Sequence, residues 1–454
     1  MIIRNYLFIV LFAVIAIFPI IKEKGLKINH LGTLVTFVYS IQYGLSSVYI
    51  LTVPTLYFEL KNYVPDISNA LIFVVLVLLF FLLGFYSPEY NKNIKNLTTS
   101  ILKKLPKVNN YEINLQHFPF IIIALEIFGW LSRIILIKMG AYYLVEVSAK
   151  TRLPENFNLY SSYLSALSLF PVLCLSLVFL NWLKTNKTIY LVISLILVSL
   201  EIAYALPSGM KMKILQPIFN LVLLYSFKKK LPLVPLLLSV GLFMFFVFPY
   251  VGIYRSLLLR GDILYDLGVA YDIYKHSIEK FDITSLNETL FYLFGQRMNQ
   301  VSILSLVVDN TPRVWDFKYG YTYLIFFTAF IPRFFWSNKP SISALGNDFG
   351  RDYGIILPSD SVTCVRIPWV VELFLNFGWS GFLAAFVIGF LYQVFYSYFM
   401  KNGTPTTFSI LLYIIGLFYL VEGESMMSDC FSGIFKIYII FCFLSYPFLK
   451  KIKA

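Results

Sequence analysis

Eleven long apolar runs, parted by short lysine-bearing stretches, set the pattern of this chain. They lie near residues 5–22, 31–51, 69–86, 117–138, 158–181, 188–207, 212–227, 232–253, 368–398, 406–421 and 432–449. A helix needs about 20 mainly apolar residues to cross the hydrocarbon core of a bilayer, so each run predicts a membrane-spanning helix. The first has Arg4 ahead of it, as a signal peptide would. Ile21-Lys22-Glu23-Lys24 follows it where a small-residue cleavage site belongs, and it reads as a retained helix. Between 254 and 367 the pattern changes. Asp266 to Glu279 spaces Leu267, Val269, Ala270, Ile273 and Tyr274 in a helical rhythm. Residues 319–335 are apolar enough to enter the bilayer, either as a re-entrant segment or as one of an extra pair of crossings with 287–309.

Lysine sets the orientation. Lys22, Lys24 and Lys27 follow the first run. Lys92, Lys95, Lys103, Lys104 and Lys107 follow the third, Lys228 to Lys230 the seventh, and Lys450, Lys451 and Lys453 end the chain. Alternating the runs puts all these clusters on one side, the cytoplasm by the positive-inside rule. The expected organisation is an N-terminal transmembrane bundle (1–253), a large extracytoplasmic region with interfacial helices (254–367) and a C-terminal transmembrane bundle (368–454). The fold class is an all-α polytopic membrane protein with about 11–13 transmembrane helices.

Composition agrees. A chain of 454 residues would make about three soluble domains, but 59% of it is hydrophobic and only 13% charged, against about 25% charged in soluble proteins. The net charge of +13 is accounted for by the lysine clusters, so nucleic acid is not an expected partner. Four cysteines, Cys174, Cys364, Cys430 and Cys442, have neither C-x-x-C spacing nor histidines at ligand spacing, and no metal site is expected. Cys364 and Cys430 lie on the same side in this topology, which leaves a disulfide between them open.

The cations divide by type. Seven of the 10 arginines lie in 254–367 (Arg255, Arg260, Arg297, Arg313, Arg333, Arg351 and Arg366), but only four of the 27 lysines do. Arginine is a rigid fork that suits phosphate and carboxylate geometry. The region also holds 11 of the 24 acids, so a mixed-charge solvated loop is the competing reading.

Three stretches carry candidate chemistry. Gly295-Gln296-Arg297-Met298-Asn299-Gln300 clusters hydrogen-bonding groups in apolar surroundings. Ile331-Pro332-Arg333-Phe334-Phe335-Trp336-Ser337-Asn338-Lys339-Pro340 fixes an Arg, a Trp and a Lys between prolines. Trp336 is either a membrane-boundary anchor or a platform for a sugar ring. Gly346-Asn347-Asp348-Phe349-Gly350-Arg351-Asp352-Tyr353-Gly354 lacks dinucleotide spacing, and its glycines suggest a turn presenting Asp348, Arg351 and Tyr353. In the ninth run, Glu372 and Asn376 share a helix face about one turn below the outer surface. An acid at that depth is a functional candidate, with a structural ion pair as the alternative. Lys211 opens the seventh run on the outer side, where a helix N-terminus can bind anions. Glu126, Arg133 and Glu201 read as intramembrane pairing, and His276 as a solvated histidine on the outer side.

The glycine–lysine element closing a mid-chain run, IPRFFWSNKP, GNDFGRDYG and the Glu–Asn–Phe–Gly span together resemble the oligosaccharide repeat-unit polymerases of bacterial envelopes, the O-antigen and capsule polymerases. The resemblance is strongest over about 205–385. That family more often has Gly-Ser-Arg where this chain has Ser208-Gly209-Met210-Lys211. The resemblance implies a GT-C-like, cofactor-free membrane glycosyltransferase of the bacterial inner membrane, with its active site facing the periplasm or cell exterior. It would act on undecaprenyl-diphosphate-linked oligosaccharide, among membrane lipids and alongside a chain-length regulator and a flippase. Arg297, Arg333, Arg351, Lys211 and Lys339 would hold the diphosphate. Glu372, then Asp348, then His276 would be the base, with Arg333 also counted as catalytic. Trp336, Tyr353, Asn376, Asn299 and Gln300 would meet the sugars. The competing functions are an O-antigen ligase, a flippase or transporter, and a membrane peptidase built on Cys364 and Arg366.

Overall fold

The computed structural model describes residues 2–48, 67–114, 118–139, 163–229, 243–257, 263–279, 299–329, 342–361 and 363–452, together with 231, 238, 241, 331, 335, 336 and 339. It is 79% helical. Its principal helices are α1 (Ile2–Lys22), α2 (Leu31–Tyr39), α3 (Ile67–Tyr90), α4 (Lys92–Lys104), α5 (Phe118–Lys138), α6 (Phe170–Thr185), α7 (Thr188–Ala205), α8 (Lys211–Ser226), α9 (Phe248–Leu257), α10 (Ile263–Glu279), α11 (Val301–Asn310), α12 (Tyr321–Ala329), α13 (Ile342–Asp352), α14 (Trp369–Phe377), α15 (Gly381–Met400), α16 (Thr407–Val421) and α17 (Met427–Ser445). Among the described residues one small sheet pairs β1 (Tyr111–Ile113) with β2 (Leu449–Lys451).

Six described stretches are long and apolar enough to cross a membrane: Ile67–Tyr90, Pro119–Lys138, Tyr163–Thr185, Thr188–Ser208, Trp369–Met400 and Met427–Phe448. The protein is an all-α polytopic membrane protein. Each of the six coincides with a run read from hydropathy. The runs near 5–22 and 406–421 form shorter apolar helices, Tyr6–Lys22 and Thr407–Val421. The run from 31 begins as α2 and loosens into a π turn over Ser40–Leu45. Part of the run 232–253 lies outside the described residues.

The ninth run, expected as one span over 368–398, is broken. α14 stops at Phe377, a 3-10 turn covers Gly378–Ser380, and α15 starts at Gly381. Gly378 has φ 56 and ψ −140, a conformation open to glycine and costly for a residue with a Cβ.

By packing, the chain falls into two compact units. Residues 1–111 with 290–435 form one compact unit, and 112–289 with 436–452 form another. In the first unit α3 and α15 run parallel. Phe73 meets Trp379 at one end, Phe85 meets Tyr396 further along, and Lys401 reaches Glu89 at 3.6 Å at the other end. Glycine lets the two backbones touch. A Cβ on Gly84 would land on the Phe386 carbonyl, and one on Gly389 on the Phe81 carbonyl. Membrane helices lack a hydrophobic force between them and associate through such close approach.

The second unit holds its helices with polar side chains. Arg133 of α5 is 2% exposed and pairs bidentately with Glu201 of α7, at 2.7 and 2.8 Å. Its Nε donates to the Ser168 carbonyl at 3.0 Å, and Trp130 and Tyr204 flank the guanidinium. Glu126 accepts the Trp130 indole N–H at 2.9 Å. Asn220 of α8 donates to Ser176 of α6.

Candidate functional site

Four stretches far apart in sequence meet around α14, which starts beside Phe81, midway along α3, and ends beside Phe73. The Lys318 N–H donates to the Leu375 carbonyl at 2.9 Å, and the Gly320 N–H to Asn376 Oδ1 at 2.9 Å. The Val365 N–H reaches the Gly346 carbonyl at 3.3 Å. The Tyr353 hydroxyl meets Thr311 Oγ1. Arg366 donates to Glu422 and, at 2.8 Å, to Ser425. Residues 311–322, 342–353, 366–376 and 422–427 therefore form one connected network. The Glu89 end of the α3–α15 pair carries Lys22 and Lys401.

Glu372 is the central node of that network. It is 0% exposed. Its Oε1 accepts from the Thr322 hydroxyl at 2.6 Å and its Oε2 from the Met427 N–H at 2.8 Å. Asn376, one turn on, donates to Thr322 Oγ1 at 2.8 Å and to the Glu372 carbonyl at 2.7 Å. The carboxylate thus ties α14 to α12 and to the first turn of α17, with both oxygens engaged. Thr322 was not singled out in the sequence, although a hydroxyl within an apolar stretch was there to be noticed.

The GNDFGRDYG stretch differs from its expected form. It is the end of a helix, α13, and a turn begins only at Tyr353-Gly354. Its first two glycines serve packing. Cβ atoms on Gly346 and Gly350 would strike Cys364, Val365 and Ile356, so Gly346 and Gly350 form one close-packed face four residues apart. The other face is polar. Asp348 is exposed and paired with Arg351. Burial raises the Asp352 carboxyl above the usual range, and Lys318 pulls it back. Asn347 points inward and donates to the Asp360 and Thr363 carbonyls at 3.0 and 2.8 Å. Tyr353 is buried against Phe349 and Trp315.

The remaining candidates are dispersed. Lys339 donates to the Ile331 and Thr328 carbonyls at 2.6 and 3.3 Å. Trp336 is 41% exposed. Asn299 brackets the start of α11, exchanging bonds with Ser302 Oγ at 2.7 Å and Ser302 N–H at 3.1 Å. Gln300 is buried, and its Oε1 has no hydrogen-bond partner among the described residues. Burial works against the Arg366 charge, but Glu422, Asp429 and Glu424 outweigh it and hold the group protonated. Cys364 is exposed, Cys430 is buried, and both are free thiols. Lys211 and His276 belong to the second unit. There Lys211 opens α8 after Gly209, and His276 sits exposed on α10. Arg297 and Arg333 lie outside the described residues.

No curated protein and no solved structure matches the chain. Residues 130–451, well over half of its length, match a family described as Domain of unknown function (DUF8712), and the chain belongs to that family.

Proposed function

We propose that this protein is a GT-C-like membrane glycosyltransferase with about 11–13 crossings that polymerises undecaprenyl-diphosphate-linked oligosaccharide repeat units at the outer face of the bacterial inner membrane. One observation carries the reading. Two of the stretches that resemble the polymerase family, 346–354 and 372–378, belong to one contiguous network in the first unit, apart from the Lys22–Glu89–Lys401 cluster. Arg351 and Arg366 belong to this network, whereas Lys22 and Lys401 gather at the Glu89 end of α3 and α15, which agrees with the sidedness such an enzyme needs.

In this reaction the terminal hydroxyl of an incoming lipid-linked repeat attacks the anomeric carbon of the growing chain. The bond from that carbon to the diphosphate oxygen breaks, and the configuration inverts. The hydroxyl proton needs an accessible base. Glu372 is enclosed and bonded at both oxygens, which supports a positioning role for it, so the base is assigned to Asp348. The charge that develops on the diphosphate needs preorganised cations. Arg351 and Lys339, with Arg297 and Arg333 from the same stretch of sequence, are assigned to it. The Asp348–Arg351 pair is exposed, and exposed pairs hold weakly. A bound diphosphate draws Arg351 away and leaves the Asp348 carboxylate free to take the proton. Trp336 offers its open face to a sugar ring.

Deletion of the gene in its native cell tests the function. A polymerase leaves single repeats attached to their acceptor and no long chains. A ligase instead leaves long lipid-linked polymer unattached, and a flippase leaves undisplayed repeats on the cytoplasmic face. Either of the last two outcomes overturns the proposal.

A further inference from the structure

Helix α4 has a surface that nothing in the proposed chemistry uses. Ile94, Leu97, Ile101 and Leu105 fall on one side of it at helical spacing, with Leu102 at the edge. Lys92, Lys95 and Lys103 fall on the opposite side, with Lys104 at its flank and Lys107 just beyond. No acidic residue occurs between Tyr90 and Tyr111. The apolar side is partly open: Leu97 and Leu105 are 52% and 38% exposed, whereas Ile94, Ile101 and Leu102 are half-buried around Thr98, the one buried residue of this helix. Among the described residues none of the five lysines forms an ion pair.

The ends of α4 are pinned at the membrane boundary. It leaves the crossing helix α3 through a single residue, Asn91, whose side chain accepts the Asn93 and Ile94 N–H groups and starts the new helix. Its exit is tied to the end of the crossing helix α15. The Tyr398 hydroxyl bonds the Pro106 carbonyl, and Asn109 Nδ2 bonds the Asn402 carbonyl at 2.8 Å. A helix fixed at both ends to the termini of two membrane-crossing helices, apolar on one face and lysine-rich on the other, has the form of an interfacial amphipathic helix.

We propose that α4 lies in the plane of the bilayer surface, its leucine and isoleucine face in the acyl boundary and its lysines on the headgroups of anionic lipids. Phosphate-bearing anionic lipid is the partner because the segment carries five positive charges and no negative one. Each lysine near an anionic surface contributes about five-fold to association.

The test uses the full-length protein in nanodiscs, with nitroxide labels at Leu97→Cys or Asn96→Cys in a Cys364→Ser background, which removes the exposed native thiol. The discs contain phosphatidylcholine alone or phosphatidylcholine mixed with phosphatidylglycerol. In the anionic discs the label at 97 is expected to be accessible to oxygen and shielded from a water-soluble nickel chelate, and the label at 96 the reverse. In neutral discs, and in anionic discs after Lys92, Lys95, Lys103 and Lys104 are changed to glutamine, the label at 97 is expected to move toward water. Equal chelate access at 96 and 97 in all discs would overturn the proposal, as would shielding of 97 from both probes, which means a protein cover. Oxygen access at 97 that ignores lipid charge overturns the anionic-lipid assignment.

Discussion

The Glu372 carboxylate accepts the backbone N–H of Met427, the first residue of α17, at 2.8 Å. A negative charge at a helix N-terminus meets unpaired N–H groups and the positive end of the helix dipole. Here it also joins α14 to α17 while the other oxygen holds Thr322. Glu372→Ala leaves two buried donors without their acceptor, each costing about 1–3 kcal/mol. It is expected to lower the thermal midpoint in detergent strongly. Glu372→Gln keeps an acceptor for Met427 and the shape of the side chain. That variant is expected to stay close to wild type in stability and to polymerise. If it folds well and is inactive, the base is Glu372 and not Asp348.

Asp348→Asn is expected to abolish polymer formation without disturbing the fold, because Asp348 is exposed and its ion pair is on the surface. Arg351→Ala is expected to reduce turnover of the lipid-diphosphate donor strongly, since a charge-assisted hydrogen bond is worth about 1.5–3 kcal/mol. Arg351→Lys should recover little, a point charge replacing a fork. Polymerisation on purified lipid-linked repeat units measures both. Wild-type rates in Asp348→Asn would remove it from the mechanism.

Hydropathy located the crossing helices because about 20 apolar residues in a row have few alternative uses. It did not reveal the break at Gly378, because Phe377 and Trp379, exposed on either side of the turn, keep the run apolar in sequence. The glycines of residues 346–354 were legible as special, but not as packing. Gly346 and Gly350 suit a turn and a close helix face equally well, and only the presence of Val365 beneath them decides. Glu372 stood out as an intramembrane acid. Its partners did not, because a threonine and a backbone N–H 50 and 55 residues away carry no sequence signal.

Gly84 and Gly389 were not singled out by sequence, yet they set the distance between α3 and α15. Gly389→Ala puts a methyl group against the Phe81 carbonyl, which is backbone and cannot rotate away. The helices must separate, and overpacking of this kind costs about 1–3 kcal/mol. Gly84→Ala should do the same against Phe386. The check is the thermal midpoint of each variant in detergent, with Gly268→Ala, on α10 and with open space for a Cβ, as a comparison. Unchanged midpoints for both would mean that the two backbones do not touch.

The Arg133–Glu201 pair predicts an asymmetry between breaking and replacing. Removing one partner of a buried pair costs about 3–5 kcal/mol, whereas an apolar replacement of both is often tolerated. Arg133→Met or Glu201→Leu alone should therefore be poorly folded, and the double variant should recover much of the loss. Arg133→Lys should rescue little, because it forfeits the two-point contact and the stacking on Trp130 and Tyr204. Folded yield and thermal midpoint in detergent report the outcome. A double variant no better than the singles would mean that the arginine has a task beyond its partner.

His30 gives the first unit a calculable dependence on pH. It lies between α1 and α2, is 1% exposed, and caps α2 by accepting the Thr33 N–H on Nδ1 at 3.2 Å. Burial pushes its pKa from an ordinary 6.5 down to about 4, against an opposing pull from Glu23. The unfolded chain thus takes up a proton near pH 6.5 that the folded chain refuses until about pH 4. Where the unfolded state binds more protons, stability rises with pH. The contribution is complete above about pH 6.5 and is lost progressively as the pH falls toward 4. Protonation at Nδ1 would also remove the acceptor that caps α2. The thermal midpoint should therefore drop between pH 7 and pH 5. His30→Asn keeps a side-chain acceptor at the cap but has nothing to titrate in this range, so its midpoint should fall less steeply across the same interval. If wild type and His30→Asn lose stability in parallel, the imidazole is not the group being protonated.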